Sequence, residues 1–197
     1  IWTEELSVDI AGGEADRHAI KATVLAESLI GLEQLAQKVN SNVFGRDIHL
    51  SVKIVGGFRE GSFDYKAVLD FFGSILPIGQ QLVEIIKNVI EYRRFLGGNP
   101  PAIQTDDPET GMVSVTNGSG QVAVFNNSVI NIGDSPQAAW AMQKMFSPLA
   151  DGATEMKISS HLENSTPVFV TTQDKQAMLE PLETAAEDEI QECILEI

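Results

Sequence analysis

An α+β fold, with antiparallel sheets or hairpins and three principal helices, is predicted by three features of this chain. Apolar residues alternate in short runs, at Leu6, Val8 and Ile10 and again at Ile48, Leu50, Val52 and Ile54, as in half-buried strands. They recur at helical spacing in two longer stretches, 24–43 and 77–96. Asn117-Gly118, the dipeptide that most favours a tight hairpin, lies between Val113/Val115 and Val122/Val124.

Taken in order, the first strand ends at Gly12-Gly13, and Thr23 is placed to cap the first helix. That helix carries one stripe of Leu25, Leu29, Leu32, Ala36, Val39 and Val43. Gly31 interrupts it at a cost of about 1 kcal/mol relative to alanine. Either a neighbouring element approaches closely there or the glycine is simply tolerated; both readings stay open. After the loop GGFREG, Phe63, Tyr65, Ala67 and Leu69 alternate, so the two runs form an antiparallel hairpin. With the first strand they predict a three-stranded sheet covered by the first helix.

The 77–96 helix has Leu82, Ile85, Ile86, Val89 and Leu96 on one side, widened by Val83 and Ile90. Gln80, Gln81, Glu84, Lys87, Asn88, Glu91 and Arg94 fill the other side. Pro77 suits its first turn, and Gly97-Gly98 before Pro100-Pro101 stops it. Ala102 to Gly111 reads as a polar loop whose Asp106, Asp107 and Glu109 lack the ligand spacing of a calcium loop. A hairpin spans 112–125, and Val129, Ile130 and Ile132 extend it or form another strand. Ser135-Pro136 opens a helix through about Phe146, with Ala139, Met142, Met145 and Phe146 inward and Trp140 at the margin. Met156 with Ile158, and Val168 with Val170, predict two further strands. One α+β domain is expected over 1–175. Residues 176–197 are expected to be an acidic linker and the start of a truncated C-terminal β portion.

The net charge is −15, from 28 acidic and 13 basic side chains. Such a surface repels phosphate backbones and anionic bilayers, so neither nucleic-acid binding nor membrane-surface binding is expected. No Lys or Arg follows Lys175. Cys193 is the single cysteine, which excludes an intrachain disulfide and a thiolate metal cluster and suggests a reducing, cytoplasmic setting. The longest uncharged apolar piece, Phe71 to Gly79, is about half of what spans a bilayer.

Catalytic signatures are missing: there is no nucleophile elbow, P-loop, dinucleotide fingerprint or zincin helix, and His18, His49 and His161 fall in separate elements. Arg93 and Arg94 beside Tyr92 complement a helix C-terminus. No catalytic, cofactor-binding or metal residue is nominated, no cofactor is expected, and an enzyme is the less favoured reading. What exceeds local need is apolar surface around the 77–96 helix. The leading expectation is therefore a non-enzymatic assembly module, a homo-oligomer joined through Phe71, Phe72, Ile75, Leu76, Val83, Ile86 and Ile90, with a further protein partner possible in principle. The alternative is a small-ligand, nucleotide-like sensor or enzyme with a pocket between the first sheet and that helix. A third reading has the helix meeting lipid as the peripheral partner of a membrane protein.

The succession strand, helix, strand, Gly61-Ser62-Phe63 opening the next strand, apolar helix and Asn-Gly hairpin, ending in Cys193-Ile194-Leu195-Glu196-Ile197, resembles an uncharacterised family. Its members are bacterial and phage-associated proteins carrying a domain of unknown function. The resemblance implies a chain that continues into a further β-rich portion, and a setting in phage defence or mobile elements. It implies no activity and no site residues.

Overall fold

The computed structural model describes residues 2–45, 47–56, 63–73, 81–162 and 164–178. In chain order these form β1 (Trp2–Ala11), α1 (Ala22–Val43), β2 (His49–Gly56), β3 (Phe63–Phe72) and α2 (Leu82–Leu96). Next come β4 (Ile103–Asp107), β5 (Met112–Thr116), β6 (Val122–Asn126), α3 (Asn127–Gly133), α4 (Pro136–Met145) and α5 (Ser147–Ala150). β7 (Glu155–Ser160), β8 (Val168–Thr171) and α6 (Thr172–Met178) complete the described chain. The fold is α+β, with every strand pairing antiparallel.

Two sheets are present among the described residues: a five-stranded one in the order β2-β3-β1-β7-β8 and a three-stranded one in the order β4-β5-β6. β1 is the middle of the large sheet, in register with β3 from Trp2↔Phe71 to Ile10↔Phe63 and with β7 from Leu6↔Ser160 to Ala11↔Glu155. Period-two alternation therefore places Leu6, Val8 and Ile10 on one face with Ala67, Leu69, Phe71, Met156 and Ile158, all buried. α1 and α2 contribute to the same core, α4 lies against α1, and α3 lies against α2. The opposite sheet face is polar, its strands joined by Lys53–Asp70 at 2.6 Å, Lys66–Glu5 at 3.0 Å and Lys157–Asp9 at 3.6 Å. Phe125 joins the small sheet to α2 through an edge contact with Tyr92 and a tilted one with Phe95.

The structure departs from the sequence reading at four places. α1 begins at Ala22 after an extended Lys21 with no side-chain cap, so Thr23 lies inside the first turn. The expected polar loop contains β4, an edge strand exposed along its length; with no buried side it has no alternation to read. Val129, Ile130 and Ile132 are helical in α3, because the Asn126 side chain accepts from Ser128 N and turns the chain out of β6. The first sheet has five strands, since β7 and β8 join it from the far end of the domain. α1, α2 and α4 are the three principal helices; α3, α5 and α6 are short additions.

Gly31 has a direct explanation. A Cβ there would stand 2.2 Å from Met145 N and 2.5 Å from Ala141 O, so α1 and α4 touch backbone to backbone. Ser28, three residues earlier, donates to Met145 O at 2.7 Å and holds the same crossing.

Candidate functional site

β1 is paired with β3 from Trp2 to Ile10, yet β7 reaches only as far as Leu6. Trp2 to Glu5 thus present an edge without a strand partner among the described residues. A cleft of about 220 Å³ lies along that edge, lined by Trp2, Thr3, Glu4, Glu5, Gln81, Val83, Ser160, His161 and Leu162. It is bounded by β1, by the end of β7 and by the first turn of α2.

Glu4 is the organising side chain. It occupies the apolar phase of β1, two residues before Leu6, so it points under the sheet rather than away from it. Its carboxylate accepts from Leu82 N at 3.0 Å and from Val83 N at 2.8 Å. Gln81, the residue before the helix, supplies no side-chain cap, so a strand 78 residues away satisfies the first donors of α2. Burial pushes the Glu4 carboxyl above its ordinary value; the two amides pull it down, and the charge of Glu84 adds to the rise.

Behind this wall sits a second polar group. Lys87, only 3% exposed, donates to Glu84 Oε1 at 3.0 Å and to Ser165 Oγ. Ser160 Oγ and Ser165 Oγ each donate to Glu84 Oε1 at 2.6 Å. Burial would raise the Glu84 carboxyl, but the hydroxyls of Ser160 and Ser165 with the Lys87 ammonium hold it below its usual value. Ser160 belongs to both groups and fixes the wall of the cleft. On the outer side Glu5 pairs with Lys66 at 3.0 Å and His161 at 3.1 Å. Trp2 stacks on Phe71 with centroids 5.2 Å apart and meets Phe44 edge-on, which steadies the aromatic wall.

The residues expected to join copies of the chain fall elsewhere. Phe71, Val83, Ile86 and Ile90 are buried in the chain's own core and offer no surface to a docked partner. The reason is supply: α1, α3, α6 and the strands β1, β7 and β8 pack against α2, where the sequence suggested one helix and three strands. Phe72, at the end of β3, is 39% exposed and is the one member of that set on the described surface. Ile75 and Leu76, the Pro77–Gln80 start of the expected helix, Gly61-Ser62, Cys193 and the acidic tail lie outside the described residues. His49 is exposed on the polar sheet face, as its alternation implied. Arg93 is buried and donates to Met178 O at 2.6 Å, while Arg94 donates to Phe169 O at 2.6 Å; both tie α2 to neighbouring chain.

The known proteins add no analogy. No protein family, curated protein or solved structure matches this chain. The cleft is therefore read from its own chemistry. Among the described residues no group of three or more His, Cys, Asp and Glu is placed to hold a metal ion. No described helix is long and apolar enough to cross a membrane.

Sequence reasoning missed Glu4, Ser160 and Lys87. The first two carried a signal: each is a polar residue on the apolar phase of an alternating strand, Glu4 before Leu6 and Ser160 after Ile158. Lys87 carried none, because it belongs to the polar side of α2 and meets its partner Ser165 across 78 residues of sequence.

Proposed function

We propose that this chain is a small-ligand-binding domain, and that the cleft between β1, β7 and the start of α2 takes a compact amine. The observation that carries this reading is an opening at the free edge of β1, reached by Glu4 and Ser160 from the inner face of the sheet and by Thr3 and Glu5 from the outer face, and walled by Trp2, Val83 and Leu162. Two carboxylates favour a cation, and the indole face of Trp2 adds cation–π attraction. The α2 N-terminus, which elsewhere would attract phosphate, is already occupied by Glu4, so an anionic ligand meets repulsion here. The volume, below the ~300 Å³ usual for drug-sized ligands, suits something of amino-acid size. A melting screen against small primary amines tests this directly. At least one amine is expected to raise the melting temperature, with the shift lost in Glu5→Gln. A screen with no stabilising amine, or a shift that persists in Glu5→Gln, would remove the proposal.

Self-association is a second reading, moved to a different surface. The outer face of the small sheet carries Ile103, Val122 and Val124, each more than half exposed, with Thr105, Ser114 and Thr116 between them. Asp107, at the end of β4, is the charged side chain in this phase of the strand, so on a chain of net charge −15 the face is lightly charged and two copies meet there with little repulsion. Three five-residue strands give roughly 240 Å², short of the ~800 Å² per partner of a stable interface, so the pairing is weak. Sedimentation across a concentration series should show a dimer that Val124→Lys abolishes; a constant monomer mass rejects it.

A further inference from the structure

We propose that the chain has a second ligand site, a groove between α1 and α4 that binds a mononucleotide, with the base stacked on Trp140 and the phosphate held by Lys38 and Lys144. The groove begins where the helices touch. From the Gly31 crossing at Ala141 and Met145, α1 runs on to Lys38 and Ser41, while α4 runs back to Trp140 and Gln137. An open space of about 740 Å³ lies along this side of the pair, lined by residues of both helices. This lies within the range of small-molecule sites.

The lining has the parts that a nucleotide needs. Trp140 is 57% exposed, an indole on the water side of a helix whose opposite side is buried through Ala138, Ala141, Met142 and Met145. Core packing does not require an aromatic there, and a flat π-face open to solvent is the surface on which a base stacks. Lys38 and Lys144 face the same space, and among the described residues neither has a carboxylate partner. In a chain with twice as many acids as bases, two lysines without an ion-pair partner among the described residues, on a groove whose one acid is Glu33, mark an anion site. Gln34 Oε1 accepts from Lys144 Nζ at 3.3 Å, which orients the ammonium and leaves the Gln34 amide N–H groups available. Gln137 offers both donor and acceptor beside Trp140, the pattern that reads a base edge.

Size and charge choose the mononucleotide over a nucleic-acid strand. The local surplus is a single positive charge, Lys38 and Lys144 against Glu33, and the rest of the surface is strongly acidic. A polyanion extending beyond the groove meets repulsion, whereas one phosphate does not. An acidic peptide satisfies the lysines but gives Trp140 nothing flat to stack against.

Equilibrium dialysis with AMP, adenosine, inorganic phosphate and a hexaglutamate peptide tests the assignment without relying on tryptophan emission. AMP is expected to bind more tightly than adenosine or phosphate. Trp140→Ala should weaken AMP about tenfold or more, and Trp140→Phe should restore part of the loss. The double variant K38Q/K144Q should bring AMP down to the level of adenosine. Each variant alters exposed or half-buried side chains, and an unchanged melting curve confirms its fold. The proposal is overturned if the native chain retains no AMP at millimolar concentration, if Trp140→Ala binds AMP as well as the native chain, or if hexaglutamate binds and AMP does not.

Discussion

Gly31 is where one missing methyl group decides a packing distance. Alanine would gain about 1 kcal/mol of helix propensity but would drive its Cβ into the backbone of Met145 and Ala141, atoms that cannot rotate away. Gly31→Ala should therefore lower stability by about 2 kcal/mol net in denaturant unfolding, against the propensity scale; an unchanged or raised midpoint would show that the crossing yields freely. The two tyrosines are a second residue-scale case, because both are buried. Burial pushes the Tyr65 phenol up to about 12, against a weak contact with the Ser28 hydroxyl at 3.4 Å. Burial and the Asp134 carboxylate push Tyr92 up as well. The unfolded chain releases these protons near pH 10 while the native chain keeps them, so stability falls as pH rises above about 10. Phenolate absorbance should appear in one step together with loss of circular dichroism. A gradual titration preceding unfolding would mean that a tyrosine is open to water.

At the level of elements, the start of α2 depends on a carboxylate from β1. Because Glu4 is raised, the native state holds its proton to higher pH than the unfolded chain does. The contribution is fully present below about pH 4.5 and is lost as pH climbs through the raised native value. Glu4→Gln keeps one acceptor and removes the titration, so the variant should be less stable by about 1 kcal/mol in acid, with the gap narrowing as pH rises. A gap that widens instead would mean that the amides of Leu82 and Val83 outweigh burial. Much of the element layout was legible because α1, α2, α4 and most strands repeat at their own periods. What was not legible was set by neighbours. β4 has no buried residue and is set by its backbone pairing with β5, α3 by the Asn126 side chain, and the cleft by β7 stopping short of Trp2. A sequence pattern reports which side of an element is apolar; it does not report how many elements arrive to cover it.

On the whole molecule that last point changes what the apolar stripe of α2 is for. Ile86 lies in the core under both helices and sheet, so Ile86→Asp places an unpaired carboxylate among apolar side chains. The cost exceeds about 4 kcal/mol, a large part of a domain's stability. The variant should lose its cooperative unfolding transition. A folded monomer released from an oligomer would show instead that this face meets a second copy. Phe72→Asp, on exposed surface, should leave the transition intact.

The central position of β1 also has a consequence for synthesis. Its partner β3 follows within the first 72 residues, but its partner β7 does not begin until Glu155. At ~5–20 residues per second, the intervening 73–154 take roughly 4 to 16 s to emerge. During that interval the nascent chain carries one completed edge of β1 and one bare edge from Leu6 to Ala11, beside an apolar face awaiting Met156 and Ile158. A bare edge next to uncovered apolar surface is what draws strands of other chains into register. The acidic side chains of β1 itself, Glu4, Glu5 and Asp9, are spaced along that strand, so two nascent copies pairing through it would bring like charges together. The carboxylates that shape the cleft in the finished protein thus also guard the unfinished one on the ribosome.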